Sequence, residues 1–216
     1  MVSPLQFFVA NRAEILARTL EHLELVALAL AIALLIGLPL GIALVRRRVL
    51  RRWALGTANV VQTIPSLALF GFLIPVPFLG GIGASTAVVA LALYNLLPIL
   101  RNTYAGIAGV DPAVLESARA MGMTPRQMLW QIELPLSLGV IFAGVRVATV
   151  ISIGVATIAA AVGAGGLGVF IFRGVAMVNN GVILAGAVPA AVLAILADLL
   201  FGFLEQRFSA RWAPNS

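Results

Sequence analysis

The hydrophobic positions of this chain gather in long runs, not in the alternating or one-faced patterns of soluble strands and helices. Leu25 to Val45 holds no charge and stops abruptly at Arg46, Arg47, Arg48, Arg51 and Arg52. A second apolar stretch runs from about Thr57 to Leu79, broken by Pro65, Pro75 and Pro77. After an uncharged turn holding Gly80, Gly81 and Gly83, a third runs from about Ala84 to Leu100 and ends at Arg101. A polar section follows to about Ser137; apolar character then returns from Leu138 to about Val162 and again from about Gly181 to Leu204. Crossing a hydrocarbon core of ~30 Å takes ~20 helical residues, so the pattern predicts an all-α, polytopic membrane helix bundle of about five transmembrane helices. The Gly-rich stretch Gly163 to Phe172 reads as a short re-entrant or interfacial piece, or as a sixth span together with the residues before it.

Composition agrees with lipid as the solvent. Of 216 residues, 62% are hydrophobic and 10% charged, against about 45–50% apolar and about 25% charged in soluble domains. The net charge of +6 rests on Arg alone and would point a soluble protein toward nucleic acid. In a membrane protein it reads as Arg retention in cytoplasmic loops, with no nucleic-acid partner. The absence of Cys excludes disulfides, thiolate zinc sites, iron–sulfur clusters and cysteine nucleophiles. No secretory signal precedes the first run, because the residues ahead of it include Arg12, Glu14, Arg18, Glu21 and Glu24.

Charge also predicts orientation. With the Arg46 to Arg52 cluster inside, ten arginines (Arg46, Arg47, Arg48, Arg51, Arg52, Arg101, Arg119, Arg126, Arg207 and Arg211) are cytoplasmic. Arg12, Arg18 and Arg173 fall outside and Arg146 lies within a span, which places the N-terminus outside and the C-terminus inside. Trp53, Trp130 and Trp212 then share the cytoplasmic boundary. Pro4 to Leu20 reads as an amphipathic helix on the outer surface, with Phe8, Ile15 and Leu16 toward lipid. The chain divides into an N-terminal amphipathic segment (1–22), a transmembrane domain (23–204) with a cytoplasmic loop at 101–137, and a cytoplasmic tail (205–216).

That loop is too long for an idle turn, and it has helix grammar of its own. Asp111 before Pro112 supplies an N-cap and a first-turn proline, Ala113 to Met121 can run helical, and Gly122 suits the C′ position. Val114, Ala118 and Met121 form an apolar stripe facing back, while Glu116 and Arg119 pair on another face. Thr124 and Gln127 stand at capping-box spacing for a second helix, which Pro135 ends. The two helices make a bent elbow whose mixed face is open to a partner.

Glu116-Ser117-Ala118, then Gly122, then Ile132-Glu133-Leu134-Pro135 resembles the EAA signature of ABC importer permeases, with Ser117 as the one departure. The resemblance implies a type I ABC importer permease fold and a coupling role for Asp111, Glu116, Ser117, Ala118, Gly122, Leu134 and Pro135 against an ATP-hydrolysing subunit. Gln62-Thr63-Ile64-Pro65-Ser66, Leu100 to Tyr104, Val110-Asp111-Pro112, and the run from Gly144 through Gly168 resemble the permeases of osmoprotectant importers for glycine betaine, carnitine or choline. What this implies is a multi-pass inner-membrane permease with no catalysis of its own. Its implied partners are an ABC ATPase subunit, a separate substrate-binding protein, a second permease copy (homodimer or heterodimer) and membrane lipid. The resemblance also implies no cofactor on this chain, ATP and Mg belonging to the ATPase. Gln62, Pro65, Ser66, Gly163, Gly165, Gly166 and Gly168 are the candidate pathway or gate residues. Alternatives are an ABC permease for methionine or another small substrate, an ion-driven secondary carrier, and a non-transporting scaffold.

Other signals carry less. Gly163, Gly165 and Gly168 spell G-x-G-x-x-G without the strand and helix of a dinucleotide site, and no phosphate-binding loop with Lys exists in a chain lacking Lys. His22, beside Glu21 and Glu24, is expected to be solvated at the headgroup boundary, and there is no metal site. Arg146 lies about eight residues and Asp198 about six from the cytoplasmic ends of their spans, ~12 Å and ~9 Å at 1.5 Å per residue. A buried ion pair between them, fixing the fourth span against the fifth, is therefore expected.

Overall fold

The computed structural model describes residues 4–77 and 80–212. The chain opens with a short helix, α1 (Pro4–Ala10), and turns at Asn11 into α2 (Arg12–Arg46), which is 35 residues long. At 1.5 Å per residue such a helix is ~52 Å long, well beyond a hydrocarbon core. Its charged first turns therefore stand beyond the apolar stretch as an overhang. The expected surface helix over Pro4 to Leu20 is instead split between α1 and this overhang. Phe8 and Ile15, expected toward lipid, pack with Phe7 against Phe170, Val182 and Ala185, whereas Leu16 is exposed. An apolar face finds protein first when two other helices end beneath it.

The arginine cluster is not a loop. Only Arg47 leaves helical geometry between α2 and α3 (Arg48–Thr63), so the second element begins about two and a half turns before the expected Thr57. Ile64 is extended (φ −73°, ψ 126°) ahead of Pro65, as the clash with a following proline ring demands. The chain resumes as α4 (Ser66–Leu73), bent 105° from α3. The C-terminal end of the second apolar stretch, residues 78–79, lies outside the described residues.

Three long helices complete the bundle: α5 (Ala84–Ala108), α8 (Leu134–Ile158) and α10 (Asn180–Trp212). Leu25, Val26 and Ala29 of α2 form one core with Leu69 and Phe70 of α4, Ala87, Ala90 and Leu91 of α5, and Ile153 and Ala156 of α8. Gly37 and Gly41 bring α2 hard against α5, since a Cβ on either would come within 2.7 Å of Ile99 or Thr103 side-chain carbon. Among the described residues four helices are long and apolar enough to cross a membrane, and the bent α3–α4 pair, taken as one span, makes a fifth. After α8 a 3-10 turn (Ala159–Val162) leads through the Gly-rich loop into α9 (Gly168–Ala176). Nine residues cover ~14 Å, so α9 is a short piece and not a sixth span.

Candidate functional site

Between α5 and α8 the chain builds its elbow from local hydrogen bonds. The Oδ1 of Asp111 accepts from the Ala113 N–H at 2.8 Å and Pro112 opens α6 (Pro112–Ala120). The helix closes by a paired C-terminal motif: the Gly122 N–H donates to Arg119 O at 2.9 Å and the Met123 N–H to Ala118 O at 3.1 Å. That closure requires the left-handed conformation of Gly122, φ +79°. Thr124 and Gln127 then form a reciprocal capping box that starts α7 (Pro125–Met128).

Three expectations for this region are corrected. The elbow begins after Ala108, because α5 continues eight residues past Leu100. Ala118 alone of the stripe faces back and is fully buried; Val114 and Met121 are exposed. Glu116 and Arg119 do not pair among the described ion pairs, and both are exposed. The Ser117 hydroxyl turns inward on its own helix and donates to Ala113 O at 2.9 Å.

Pro135 does not end the second helix either. The chain passes from α7 through a π-helical turn (Leu129–Glu133) into α8, with Leu134 and Pro135 in the first turn of α8. A proline inside an α-helix lacks an N–H and its ring strikes the carbonyl four residues back. The widened turn, closed by the Leu134 N–H on Leu129 O, puts the helix start where the missing donor is harmless.

The π turn also delivers a residue the sequence reading passed over. Glu133 is only 7% exposed, and its Oε2 stands 3.5 Å from Nη2 of Arg46 at the end of α2. The same nitrogen donates to Pro125 O at 3.4 Å, so one guanidinium touches both the start of α7 and the turn after it. A cavity of about 450 Å³ lies behind the elbow, lined by Arg46, Ile107, Leu115, Arg119, Met128 and Glu133. Glu133 stands between Ile132 and Leu134 of the signature, and the π turn places it inward.

Arg146 and Asp198 meet. Nε donates to Oδ1 at 2.6 Å and Nη2 to Oδ2 at 2.7 Å, while Nη1 reaches Glu205 at 3.3 Å. The pair joins α8 to α10 but is not buried in this chain, the side chains being 35% and 41% exposed.

The candidate gate residues fall on two separate supports. Gln62 donates to Tyr94 O at 2.9 Å, and the Tyr94 hydroxyl donates to Ile64 O, so α5 grips the bend; Pro65 is exposed and Ser66 half-buried. Gly163, Gly165, Gly166 and Gly168 lie at the far end of the bundle from the elbow. There the Gly166 N–H donates to Glu21 Oε2 at 3.0 Å, and Arg18 holds the same oxygen at 2.8 Å. On the overhang, ahead of the apolar stretch, the Gly166 N–H and Arg18 hold the Glu21 carboxyl below the usual carboxylate range. Glu14 pairs with Arg173 of α9 at 3.2 Å. His22 is not solvated: it is fully buried, its Nε2 3.1 Å from Ile153 O, because the Gly-rich loop folds over it. A Cβ on Gly168 would strike Thr157 O at 1.9 Å, which accounts for that glycine by packing.

A five-span bundle with a broken second span and a capped elbow before the fourth defines a transport subunit. The chain belongs to the family of binding-protein-dependent transport system inner membrane components, which it matches over residues 29–210. It is a multi-pass protein of the inner membrane. It is similar to the carnitine transport permease protein OpuCD of Listeria monocytogenes, 47% identical over 203 residues that cover 94% of this chain and 90% of the relative. The glycine betaine/carnitine/choline transport system permease protein OpuCD of Bacillus subtilis is 46% identical, over 94% of this chain and 88% of its own. The osmoprotectant import permease protein OsmW of Salmonella typhimurium is 43% identical, over 93% and 94%. Among solved structures, the inward-facing MetNI methionine ABC transporter superposes with a TM-score of 0.81 over 96% of this chain and 99% of the matched chain. At 23% identity that likeness concerns the fold, that of a type I ABC importer permease.

Proposed function

We propose that this chain is the permease subunit of an ATP-driven importer for a compatible solute such as glycine betaine, carnitine or choline. The observation that carries the reading is the elbow: a doubly capped pair of helices whose outer face, with Val114, Glu116 and Met121 exposed, has no cover among the described residues. Exposed Asp111, Glu116 and Ser117 would meet an ATPase subunit that binds ATP and Mg and performs the hydrolysis, while buried Ala118, the bend at Gly122 and the α8 start at Leu134 and Pro135 would hold the elbow in shape. The names of the relatives support the solute class. In this reading the N-terminus is outside and the elbow inside, where most of the arginines gather. A substrate-binding protein delivers solute to the outer face, and a second permease copy, identical or similar, completes the pathway. Switching between outward-open and inward-open states is driven by the different affinity of the ATPase for each.

The test is uptake into proteoliposomes holding this chain, its ATPase and its binding protein. ATP-dependent accumulation of labelled glycine betaine, carnitine or choline is expected. Accumulation without any ATPase would identify an ion-driven carrier, and uptake of methionine alone would move the chain to amino-acid transport.

A further inference from the structure

One half of α3 has no neighbour among the described residues, and that half sets polar groups beside exposed Val49 and Val60. Arg48, Arg52, Trp53, Gly56, Thr57 and Asn59 are exposed on one side, while Ala58 opposite is buried against Leu44, Leu97 and Leu100. Arg48, Arg52 and Trp53 stand at the cytoplasmic boundary in the reading above, whereas Thr57 and Asn59 lie one to two turns deeper, where polar groups face water or protein and not lipid tails. The exposed half of α3 thus belongs to an aqueous route or to a covering subunit.

An open groove of about 850 Å³ runs along this face, lined on this one helix by Arg48, Arg52, Trp53 and Thr57 and, over most of its surface, by apolar groups. Arg46 and Arg51 of the same cluster are committed elsewhere, to Glu133 and to the hydroxyl and ring of Tyr104. Arg48 and Arg52, one turn apart, have no carboxylate partner among the described residues. Beside them the Trp53 indole is 72% exposed. Gly56 lies four residues on from Arg52 and three from Trp53, and a Cβ there would meet nothing within 4 Å. The floor between guanidinium and indole is open.

We propose that this groove is a binding site of the permease itself for a small zwitterion that carries a quaternary ammonium and a carboxylate. The two guanidinium groups match a carboxylate by charge-assisted hydrogen bonds, and an exposed indole face attracts a quaternary ammonium. No acidic side chain lines the groove to hold a bare cation, and the arginines repel one. The site therefore selects zwitterions such as glycine betaine or carnitine over choline. It rests on the compatible-solute reading above and narrows it.

The test uses the permease–ATPase complex in nanodiscs without binding protein, probed with labelled glycine betaine, carnitine and choline. Both zwitterions bind and choline binds more weakly. Arg52→Gln weakens the zwitterions about tenfold or more and closes the gap to choline. Trp53→Leu weakens them about fivefold, whereas Trp53→Phe stays within about threefold. Copurification with the ATPase reports assembly of each variant. For any variant that fails to assemble, the unmutated complex still decides: glycine betaine changes its tryptophan emission and equimolar choline does not. Absent zwitterion binding, equal affinity for choline, or affinity indifferent to both Arg52→Gln and Trp53→Leu overturns the site. So does a groove occupied by a second copy, seen as a Trp53→Cys disulfide between subunits with no solute bound. Normal zwitterion uptake by the full transporter alongside such a result leaves the import reading standing; no uptake at all removes that reading instead.

Discussion

Arg146 of α8 grips Asp198 of α10 with both prongs of its guanidinium, Nε to Oδ1 at 2.6 Å and Nη2 to Oδ2 at 2.7 Å. Fork matches carboxylate in a way that a point charge does not. Glu205, one further contact along α10, makes the cluster one acid richer than its single base. Asp198→Asn is expected to lower the melting temperature of the purified complex and the yield of assembled transporter. Arg146→Lys is expected to lower both as well, since it keeps the charge and loses the fork. Thermal unfolding monitored with a fluorescent reporter decides it; unchanged melting in both variants would remove the pair's bracing role.

The contact between Arg46 and Glu133 ties α2 to the elbow at 3.5 Å, with Arg46 half-exposed. So exposed a partner limits the pair to about 1 kcal/mol of stability. Its expected effect is on transmission. Glu133→Gln and Arg46→Gln should each raise the ATP hydrolysed per solute imported, and the double variant should match the worse single one. Additive effects in that double-mutant cycle would show the two side chains acting separately.

Gly122 sits at φ +79° in open space, so any substitution there is felt through the backbone and not through a clash. Gly122→Val is expected to destabilise the elbow by about 1–2 kcal/mol, and Gly122→Asn by less. Hydrogen exchange across 112–128 should speed up and ATPase copurification should fall in the same order. Equal protection in both variants would mean that the bend does not depend on this residue.

Gly166 combines φ +72° with a Cβ position only 3.2 Å from Nδ1 of buried His22. Gly166→Ala should push the loop off α2 and release the Glu21 bond, exposing His22. Faster reaction of His22 with diethyl pyrocarbonate in the variant is the expected readout, and identical labelling would show that the loop does not seal it.

Much of the architecture is local and so legible in a linear string. A run of apolar residues of bilayer length spans whatever its neighbours, hence the placement of five crossings. Asp111-Pro112, Gly122 and Thr124 to Gln127 cap helices through bonds two to five residues long, hence the elbow. Arginine distribution predicted a sidedness that depends on the membrane and not on packing.

Other features depend on partners far along the chain, and no window of sequence contains both members. His22 is buried because a loop more than 140 residues later covers it; the same imidazole on an isolated helix end would be wet. Glu133 turns inward in the π turn just before Pro135, with Arg46 of α2 3.5 Å away. Arg146 and Asp198 were each visible as charges at comparable depth, yet their meeting, and its remaining half-exposed, followed only from α8 packing on α10. Hydrophobic length and capping act along the backbone and survive in one dimension. Burial and pairing are set by which helices touch, and that is decided only when the whole bundle closes.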